Sequence, residues 1–500
     1  MAQGSIVVVD IGTTSIRATL YDLSGASLHL ARRDNPPLHY PDGRVEQDAS
    51  SWETRVESLL TECALRASEL GLSIEAVSLT SQRSSVIPLD SSGKPLRPAI
   101  MWQDLRTQAI CSALESENPK IYSICGMKVT PVMSAPKMLW IKDNEPEVYS
   151  RTWKMAGIHD YVLYLLTGEI HTDPSLASRT NLLNLERMEW DDGLVSLFGI
   201  DKSILCEMVG AGSLAGRTCP SMARRTGIAA GTPVMSAGGD QQCAALGMGL
   251  YSPDRVVANT GTGSYLLAHS PKPVLDPEMR VFCNASAVPG SYVVEAGMPA
   301  SGVIWRWFAE NFYPQGKPAF GQVDFSQANA EAEAAPPGSS GVLFLPHFKG
   351  SGAPHFNPKA RGCFHGLSLD TGRGDLGRSI LEGIAAEMAD NLGLLESLTR
   401  PALAVHASGG LTGLGLFNRI QASMFGKTLK VDSSGEATSQ GAWISACAAL
   451  GIYPSQADAA EAMLSLQPIK TYAPNQEESG FYARLRAARN RLYESLYGSC

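Results

Sequence analysis

A loop near the start of the chain combines glycine with hydroxyl residues in a pattern that could bind phosphate. Residues 10–15 include Asp10, Gly12, Thr13 and Thr14. Glycine permits a sharp turn and lets backbone N–H groups approach an anion, and the threonine hydroxyls add donors. Asp10 could hold Mg²⁺ through water molecules. A plain polar turn is the alternative interpretation of so short a string.

The same pattern returns in the second half of the chain. The residues of this second loop are Thr260, Gly261, Thr262 and Gly263, and they again lie between two apolar runs. Two donor-rich loops that face each other across a cleft would clamp a polyphosphate. The repetition therefore favours phosphate binding for both loops.

A carboxylate follows another apolar run. Asp240 comes after Gly238 and Gly239 and precedes a stretch rich in Ala and Leu. Between a strand and a helix, its side chain would point into the cleft. Transfer of a phosphoryl group to an alcohol needs a base at the attacking hydroxyl, and Asp240 suits that role. N-capping of the helix, a common use of aspartate, is the alternative.

Three further residues could bind a polyhydroxy compound. Arg83 follows a strand-like run and presents a guanidinium fork that suits substrate oxygens. Trp102 offers an aromatic face for C–H surface, and Asp104 offers a carboxylate for hydroxyl groups. Core packing of Trp102 and surface pairing of Asp104 with Arg106 remain as alternatives.

A diglycine in the last quarter of the chain could leave space for a nucleoside. An apolar run leads through Gly409 and Gly410 into an amphipathic helix predicted at 416–425, which carries Asn418. A second helix is predicted at 438–450. We expect adenosine to bind between these two elements, with both glycines and Asn418 among its contacts. A tight strand-to-helix connection is the alternative.

These motifs lie within an alternation of strands and helices. A strand, loop, strand hairpin surrounds each of the two phosphate loops, and the first hairpin is followed by a helix at 52–70 and a strand at 76–80. Such alternation predicts an α/β fold, and its repetition predicts two domains with a cleft between them. Turn residues place the domains at 1–252 and 253–500.

Composition excludes several classes of partner. The chain has 500 residues, 44% of them hydrophobic, and a formal net charge of −8. Without a basic surplus we expect no nucleic acid partner and no membrane partner. No run approaches the roughly 18 apolar residues of a membrane span. The ten cysteines form no C-x-x-C pair, which indicates reduced thiols in a cytoplasmic protein.

In this order, the motifs resemble those of the FGGY carbohydrate kinases, which include glycerol kinase, xylulokinase, gluconokinase and the autoinducer-2 kinase. The resemblance extends over nearly the whole chain. Its most specific part is the segment 362–367, followed by Asp375, Leu376 and residues 379–382, which is similar to the C-terminal signature of the family.

The resemblance implies a fold and an activity. The fold would be two ribonuclease-H-like domains, as in actin and hexokinase, that flank a nucleotide cleft. The activity would be phosphorylation of a small carbohydrate by ATP with Mg²⁺, with Asp240 as catalytic base and with Asp10 and Asp240 near the metal through water. The acceptor contacts carried over would be Arg83, Trp102, Asp104, Asp240, Gln241 and Tyr265, the last as an aromatic wall.

Departures from the relatives bear on the acceptor. Glycerol kinases carry Glu where this chain has Ser84 and Tyr where it has Val132, so a glycerol pocket would lose a carboxylate and a phenol. Xylulokinases carry Met-His in place of Gln82 and Arg83. We therefore expect a ketose or polyol of four or more carbons. Glycerol kinase and autoinducer-2 kinase remain alternatives.

Two different classes also remain open. An actin-like ATP-binding regulator without turnover would show a damaged base or loop, whereas Asp10, Asp240 and both loops are intact. A phosphatase or ATPase would need no acceptor residues such as Arg83 and Trp102. The sequence leaves the oligomeric state open, with a homodimer among the options.

Overall fold

The chain forms two compact units that interleave along the sequence. The computed structural model describes residues 3–314, 323–432 and 435–498. The first unit consists of Met1–Tyr251, Ser270–Val293 and Glu436–Gln467, and the second of Ser252–His269, Val294–Gly435 and Pro468–Cys500. This division differs from the single boundary predicted at residue 252, because two later segments pack with the first unit.

A six-stranded sheet forms the centre of the first unit. The middle three strands run parallel and the remaining pairs are antiparallel. Helices cover both faces of the sheet. In spatial order the strands are Ser213–Arg217, Pro233–Gly239, Leu72–Ser81, Gln3–Ile11, Ser15–Asp22 and Ser27–Asp34.

The strand Gln3–Ile11 shows how its sequence leads to burial on both faces. Successive side chains of a strand point to opposite faces of the sheet. Val7 packs in one hydrophobic cluster with Trp52, whereas Val8 packs in another with Trp443. All four residues are buried. An uninterrupted apolar run is what such a strand requires.

Helix Ala437–Ala449 belongs to the first unit, and its predicted place beside adenosine stays a prediction. Gly441 packs so closely on helix Asp240–Gly247 that no Cβ would fit there. Ser78 Oγ also donates a hydrogen bond of 2.7 Å to the carbonyl of Ala442. The helix is thus held against the central sheet.

The second unit is also built on a mixed sheet. Its three inner parallel strands are Arg255–Thr260, Ala404–Ser408 and Thr428–Asp432. Both predicted hairpins are confirmed, since each phosphate-loop candidate joins two antiparallel strands. In spatial order the seven strands of this sheet are Phe282–Ala285, Tyr292–Met298, Ser264–Ser270, Arg255–Thr260, Ala404–Ser408, Thr428–Asp432 and Ile469–Tyr472. The principal helices are Gly302–Phe312, Ser326–Ala334, Arg373–Leu398, Gly415–Phe425 and Gln476–Tyr497.

The remaining helices and strands complete the two units. Further helices are Ser50–Glu69, Gln108–Ala113, Asn118–Cys125, Ser134–Asn144, Pro146–Arg151, Ile158–Thr167, Pro174–Ala177, Asp192–Leu197, Pro220–Thr226 and Gln456–Ser465. Short strands are Leu38–His39, Val45–Gln47, Ile87–Leu89, Ala99–Ile100, Lys154–Ala156, His171–Thr172, Leu183–Asn184, Glu189–Trp190, Glu207–Met208, Leu343–Leu345 and Cys363–His365. Across the three described ranges, no helix combines the length and the apolar character needed to span a bilayer.

Candidate active site

Three parallel strands of the first unit end at one edge of the sheet, and the candidate residues lie there. In the register of these strands Ile11 is paired with Ser81, and Ser81 is paired with Gly239. The loops and the helix that follow these positions carry the first phosphate loop, Arg83 and Asp240. Parallel register thus brings together motifs that are far apart in the sequence.

Asp240 and Arg83 form the centre of the site. Arg83 Nε lies 3.6 Å from Asp240 Oδ1, and the two side chains are 10% and 25% exposed. The backbone N–H of Gln241 donates to the same carboxylate oxygen at 2.7 Å. Burial raises the pKa of Asp240, while the charges of Arg83 and Arg179 and the Gln241 hydrogen bond oppose that rise. Asp240 is the first residue of its helix and Gly239 is the N-cap, so the capping alternative is wrong.

Asp10 lies in a group of like charges at the same edge. Burial and the neighbouring Asp240 carboxylate raise the pKa of Asp10 to about 7, and Arg17 acts in the opposite direction. Arg17 Nη1 lies 3.5 Å from Glu436 Oε1. Two carboxylates close to each other attract a cation, which suits the predicted role of Asp10 and Asp240 around Mg²⁺.

Hydrogen bonds to its backbone hold the first phosphate loop in place, and two of its hydroxyl residues remain accessible. The N–H of Gly12 donates to Ser15 O at 3.0 Å, which makes a tight turn. Gln82 Nε2 donates to the carbonyl of Gly12 at 3.2 Å. Thr13 is half-buried and Thr14 is exposed. The donors of this loop fit a phosphate group.

Asp104 does not take the role that the resemblance implied. The residue is 0% exposed. Its Oδ2 accepts the N–H of Val45 at 2.6 Å, and Arg106 bonds to both carboxylate oxygens. Arg106 also pairs with Glu46, which in turn pairs with Arg97. The alternative pairing with Arg106 is confirmed, although it is buried and not at the surface, and the carboxylate has no access to an acceptor.

Trp102 lies between the acceptor candidates and the phosphate loop. Its indole Nε1 donates to Thr13 Oγ1 at 3.0 Å, and its backbone N–H donates to Ser85 Oγ at 3.1 Å. The side chain is half-buried, so part of the ring remains open to a ligand. The structure therefore places Trp102, but not Asp104, in a position to contact a substrate.

Ser84 and Val132, the two departures from glycerol kinases, are both held in place. Ser84 has a φ of 70° and is buried, with its Oγ 3.4 Å from the carbonyl of Arg179. The carbonyl of Val132 accepts a bond of 2.7 Å from Lys137 Nζ, which also bonds to the carbonyls on either side. Burial lowers the pKa of Lys137 to about 7. A cavity of about 40 Å³ adjoins Ser84 and is lined also by His159, which leaves room for about one water molecule.

In the second unit, the loop at residues 260–263 meets the start of a helix. Ser301 N–H donates to Thr262 O at 2.8 Å, and Gly302, the first residue of its helix, donates to Gly261 O at 3.0 Å. Thr262 is exposed. Gly263 has no room for a side chain, because a Cβ would lie 2.5 Å from Met298 O. Gly261 and Thr262 thus remain accessible for a phosphate.

Thr260 and Asn418 are used inside the second unit, which corrects their predicted contact with nucleotide. Thr260 is buried, and its Oγ1 donates to Ser408 O at 3.0 Å. Asn418 is 1% exposed and donates from Nδ2 to Thr412 O at 2.8 Å. Both side chains shape the turn and do not line its surface.

The diglycine of the second unit and Tyr265 are accessible. Gly409 has a φ of 101°, and a Cβ there would lie 2.6 Å from Thr260 O. A Cβ at Gly410 would meet nothing within 4 Å, and both glycines are exposed. Tyr265 is 41% exposed. An open, side-chain-free backbone of this kind fits the close approach of a nucleotide.

Sequence reasoning missed several charged residues of the first-unit site. Arg179 and Arg83 both act on the pKa of Asp240, and Glu436 and Arg17 act on that of Asp10. Arg17 lies two residues after the loop at 10–15, whereas Arg179 and Glu436 adjoin no motif that indicates a role in the site. A single charged residue in a polar segment is too common to select a site.

At this edge of the first sheet, two carboxylates and a guanidinium form a set that suits phosphoryl transfer to a hydroxyl group. The comparisons with known proteins agree. The N-terminal domain of the FGGY family of carbohydrate kinases matches residues 5–247, and the C-terminal domain of that family matches residues 256–450. The chain belongs to the FGGY family of carbohydrate kinases and is a phosphotransferase with an alcohol acceptor.

The chain is about equally similar to relatives that are named for different substrates. A xylulose kinase of Lactococcus lactis is 28% identical, covering 98% of this chain and 96% of its own. An autoinducer-2 kinase of Salmonella choleraesuis is 29% identical, and the match covers 98% of this chain and 94% of that protein. A glycerol kinase of Citrifermentans bemidjiense is 31% identical, and the match covers 91% of this chain and 92% of that protein. Overall identity therefore does not select the acceptor.

Solved structures agree with the fold over its whole length. The structure of xylulose kinase from Rhodospirillum rubrum is 27% identical, covers 99% of both chains and has a TM-score of 0.91. That of gluconate kinase from Lactobacillus acidophilus has a TM-score of 0.92, covers 100% of this chain and 99% of its own, and is 24% identical. The predicted two-domain α/β fold of this kinase family is confirmed.

Proposed function

We propose that this chain phosphorylates a hydroxyl group of a ketose or polyol of four or more carbons, with ATP and Mg²⁺ as phosphoryl donor and Asp240 as the catalytic base. The observation that carries the proposal is the pair of Asp240 and Arg83, 3.6 Å apart at the edge where three parallel strands end. When bound, MgATP supplies the phosphoryl group and the charge that balances the carboxylates.

Asp240 accepts the proton of the attacking hydroxyl in this proposal. The pKa of Asp240 is raised above its ordinary value, which makes the carboxylate a stronger base toward the hydroxyl proton. Arg83 holds an oxygen of the acceptor through its guanidinium fork and limits how far the pKa of Asp240 rises. Asp10 and Asp240 are proposed to contact Mg²⁺ through water.

The nucleotide is proposed to bind the accessible loop residues. In the first unit these are Gly12, Thr13 and Thr14, whose backbone and hydroxyl donors suit phosphate. In the second unit they are Gly261, Thr262, Gly409 and Gly410, the two last for adenosine, and the buried Gly263 is proposed to contribute through its backbone. Thr260 and Asn418 support these turns from inside.

The acceptor is proposed to contact Arg83, Trp102, Gln241 and Tyr265, in addition to Asp240. Neither a carboxylate at position 84 nor a phenol at position 132 is present to enclose a three-carbon triol. A longer polar chain could bond to the guanidinium and amide groups that glycerol would leave unpaired. The names of the relatives keep xylulose, autoinducer-2 and glycerol as alternative acceptors.

We also propose a cytoplasmic location for the enzyme, on the basis of its scattered cysteines, and no nucleic acid or membrane partner. The cysteines in the described ranges are free thiols. A homodimer stays a prediction that light scattering of the purified protein would test.

The decisive experiment is a coupled assay of ADP release with glycerol, erythritol, D-xylulose, D-ribulose, gluconate and the autoinducer-2 precursor. We expect turnover with at least one acceptor of four or more carbons. Asp240→Asn should lower it about 10²- to 10⁴-fold. Asp192→Asn, which changes a carboxylate whose side chain is 85% exposed, should leave it unchanged. ADP release with none of the six would contradict the proposal.

A further inference from the structure

A buried set of polar residues lies directly behind Asp240. Asp173, Ser175 and Ser236 are each 0% exposed. The backbone N–H of Gly239, the residue before Asp240, donates to Ser175 Oγ at 2.9 Å. Ser175 is therefore bonded to the chain one residue from the proposed base, although it has no access to substrate.

Asp173 fixes the orientation of the Ser175 hydroxyl. Ser175 Oγ donates to Asp173 Oδ1 at 2.6 Å, so its hydrogen is committed and a lone pair can face Gly239. The other carboxylate oxygen, Oδ2, accepts a bond of 2.6 Å from Ser236 Oγ, which lies 3.1 Å from His159 Nε2. Because Asp173 caps the helix Pro174–Ala177, the network ties that helix to the strand that leads to Asp240.

The diglycine turn before Asp240 fits closely between its neighbours. Gly238 has a φ of 116°, and a Cβ there would lie 2.7 Å from Ser175 Oγ. A Cβ at Gly239 would lie 2.5 Å from Arg83 Cδ. Thr80 Oγ1 also donates to the carbonyl of Gly238 at 2.8 Å. The path of this turn therefore sets where Asp240 leaves the strand and how far it stands from Arg83.

We propose that Ser175, oriented by Asp173, is a positioning residue for the base of the reaction. The proposal rests on the proposed function of Asp240. Without the Ser175 hydroxyl, the N–H of Gly239 loses its acceptor, and the turn shifts to find another. A displacement of about 1 Å in a catalytic group can reduce the rate about 10²-fold, so a buried hydroxyl can matter for turnover.

The test compares Ser175→Ala with Ser178→Ala. Ser178 is also 0% exposed and donates from Oγ to Ser175 O at 3.0 Å, a bond within the same helical turn. With the best of the six acceptors named above, we expect Ser175→Ala to lower kcat about 10- to 100-fold and to leave the KM for ATP within about twofold. Ser178→Ala should leave kcat within about twofold at a similar loss of Tm.

A second measurement separates positioning from a general structural effect. In an Asp240→Asn background, Ser175→Ala should reduce the residual kcat by less than about threefold, because the group that it positions is already gone. Exchange of the Gly239 amide hydrogen should also be faster in Ser175→Ala than in Ser178→Ala.

The outcomes distinguish this proposal from the function on which it rests. If Asp240→Asn keeps its kcat, the proposed function has failed. If Asp240→Asn loses activity while Ser175→Ala stays within twofold of the unmodified enzyme, or if Ser175→Ala costs as much in the Asp240→Asn background as alone, the positioning role is wrong.

Discussion

The indole Nε1 of Trp102 donates a hydrogen bond of 3.0 Å to Oγ1 of Thr13. Trp102 is proposed to contact the acceptor, and Thr13 is proposed to contact a phosphate of ATP. This hydrogen bond therefore connects the proposed acceptor site with the proposed phosphate site. Gln82, next to Arg83, supports the same loop through Gly12. Changes on the acceptor side should therefore alter the binding of ATP as well.

Trp102→Phe tests this connection, because it keeps an aromatic ring and removes the N–H. We expect the KM for ATP to rise about twofold to tenfold, the range that corresponds to one hydrogen bond. Thr13→Val should have at least as large an effect. Steady-state kinetics of the double variant should show a smaller loss than the sum of the two, and strictly additive losses would mean that the two residues act independently.

Asp240→Asn should separate chemistry from binding. The amide keeps the size of the side chain but cannot take a proton, so we expect kcat to fall about 10²- to 10⁴-fold. The Kd for ATP, measured by calorimetry, should change little because Asp240 is proposed to meet Mg²⁺ only through water. A variant with unchanged kcat would remove Asp240 from the mechanism.

Asp10 should make the protein less stable at high pH. Its pKa is raised from 3.8 to about 7, so the folded state binds this proton more tightly than the unfolded state. Stability from this group is then present below about pH 4 and is lost as the pH rises through 7. Asp10→Asn should raise the free energy of unfolding at pH 8 by about 1–2 kcal/mol, less than the full pKa shift implies because Asp10 is partly exposed.

Thermal unfolding of Asp10→Asn at pH 8 and pH 4.5 measures this effect. We expect the variant to exceed the unmodified protein in Tm at pH 8 and to match it more closely at pH 4.5, while it loses activity. The exposed Asp192→Asn should show no such pH dependence. A lower Tm for Asp10→Asn at pH 8 would mean that Arg17 outweighs burial and the repulsion from Asp240.

Gly409 and Gly410 should differ in their response to alanine. Gly410→Ala adds a Cβ into open space, so we expect Tm within about 1 °C of the unmodified value and a several-fold higher Kd for ATP. Gly409→Ala meets Thr260 O at a φ of 101° and should destabilise the second unit by about 1–3 kcal/mol. Unchanged ATP affinity in Gly410→Ala would place adenosine elsewhere.

Glycerol should be a poor acceptor. With Ser84 and Val132 in place of a carboxylate and a phenol, we expect its kcat/KM to be about 10- to 200-fold below that of the best longer acceptor. The measurement is kcat/KM for the six acceptors under one assay. If glycerol were the best of them, the chain would be a glycerol kinase with a rearranged pocket.

Much of this protein could be predicted because the informative patterns are local. Glycine and hydroxyl residues between two apolar runs specify a hairpin, and both hairpins formed at the predicted places. The helix predicted at 52–70 is Ser50–Glu69, and the strand predicted at 76–80 lies within Leu72–Ser81. The motif order was also enough to indicate the family.

The errors concern side chains whose partners are distant in sequence. Asp104 has the residue type for binding a hydroxyl, yet Val45 and Arg106 bond to its Oδ2 and Arg106 also bonds to its Oδ1. The pairing with Arg106 was an alternative that the sequence offered, whereas Val45 reaches Asp104 only in the folded protein. Helix Ala437–Ala449, predicted at 438–450, packs on the sheet of the first unit, which no local pattern indicates.

By itself, the sequence determined the elements, the turns between them and the residue types available for chemistry, because hydrogen-bonding and steric preferences act over a few residues. Only the tertiary structure decided which polar groups face a ligand and which are consumed by other residues. Ser175 bonds to Gly239 and Arg83 lies beside Asp240 because parallel strands end at one edge, and that register arises from packing across the whole unit.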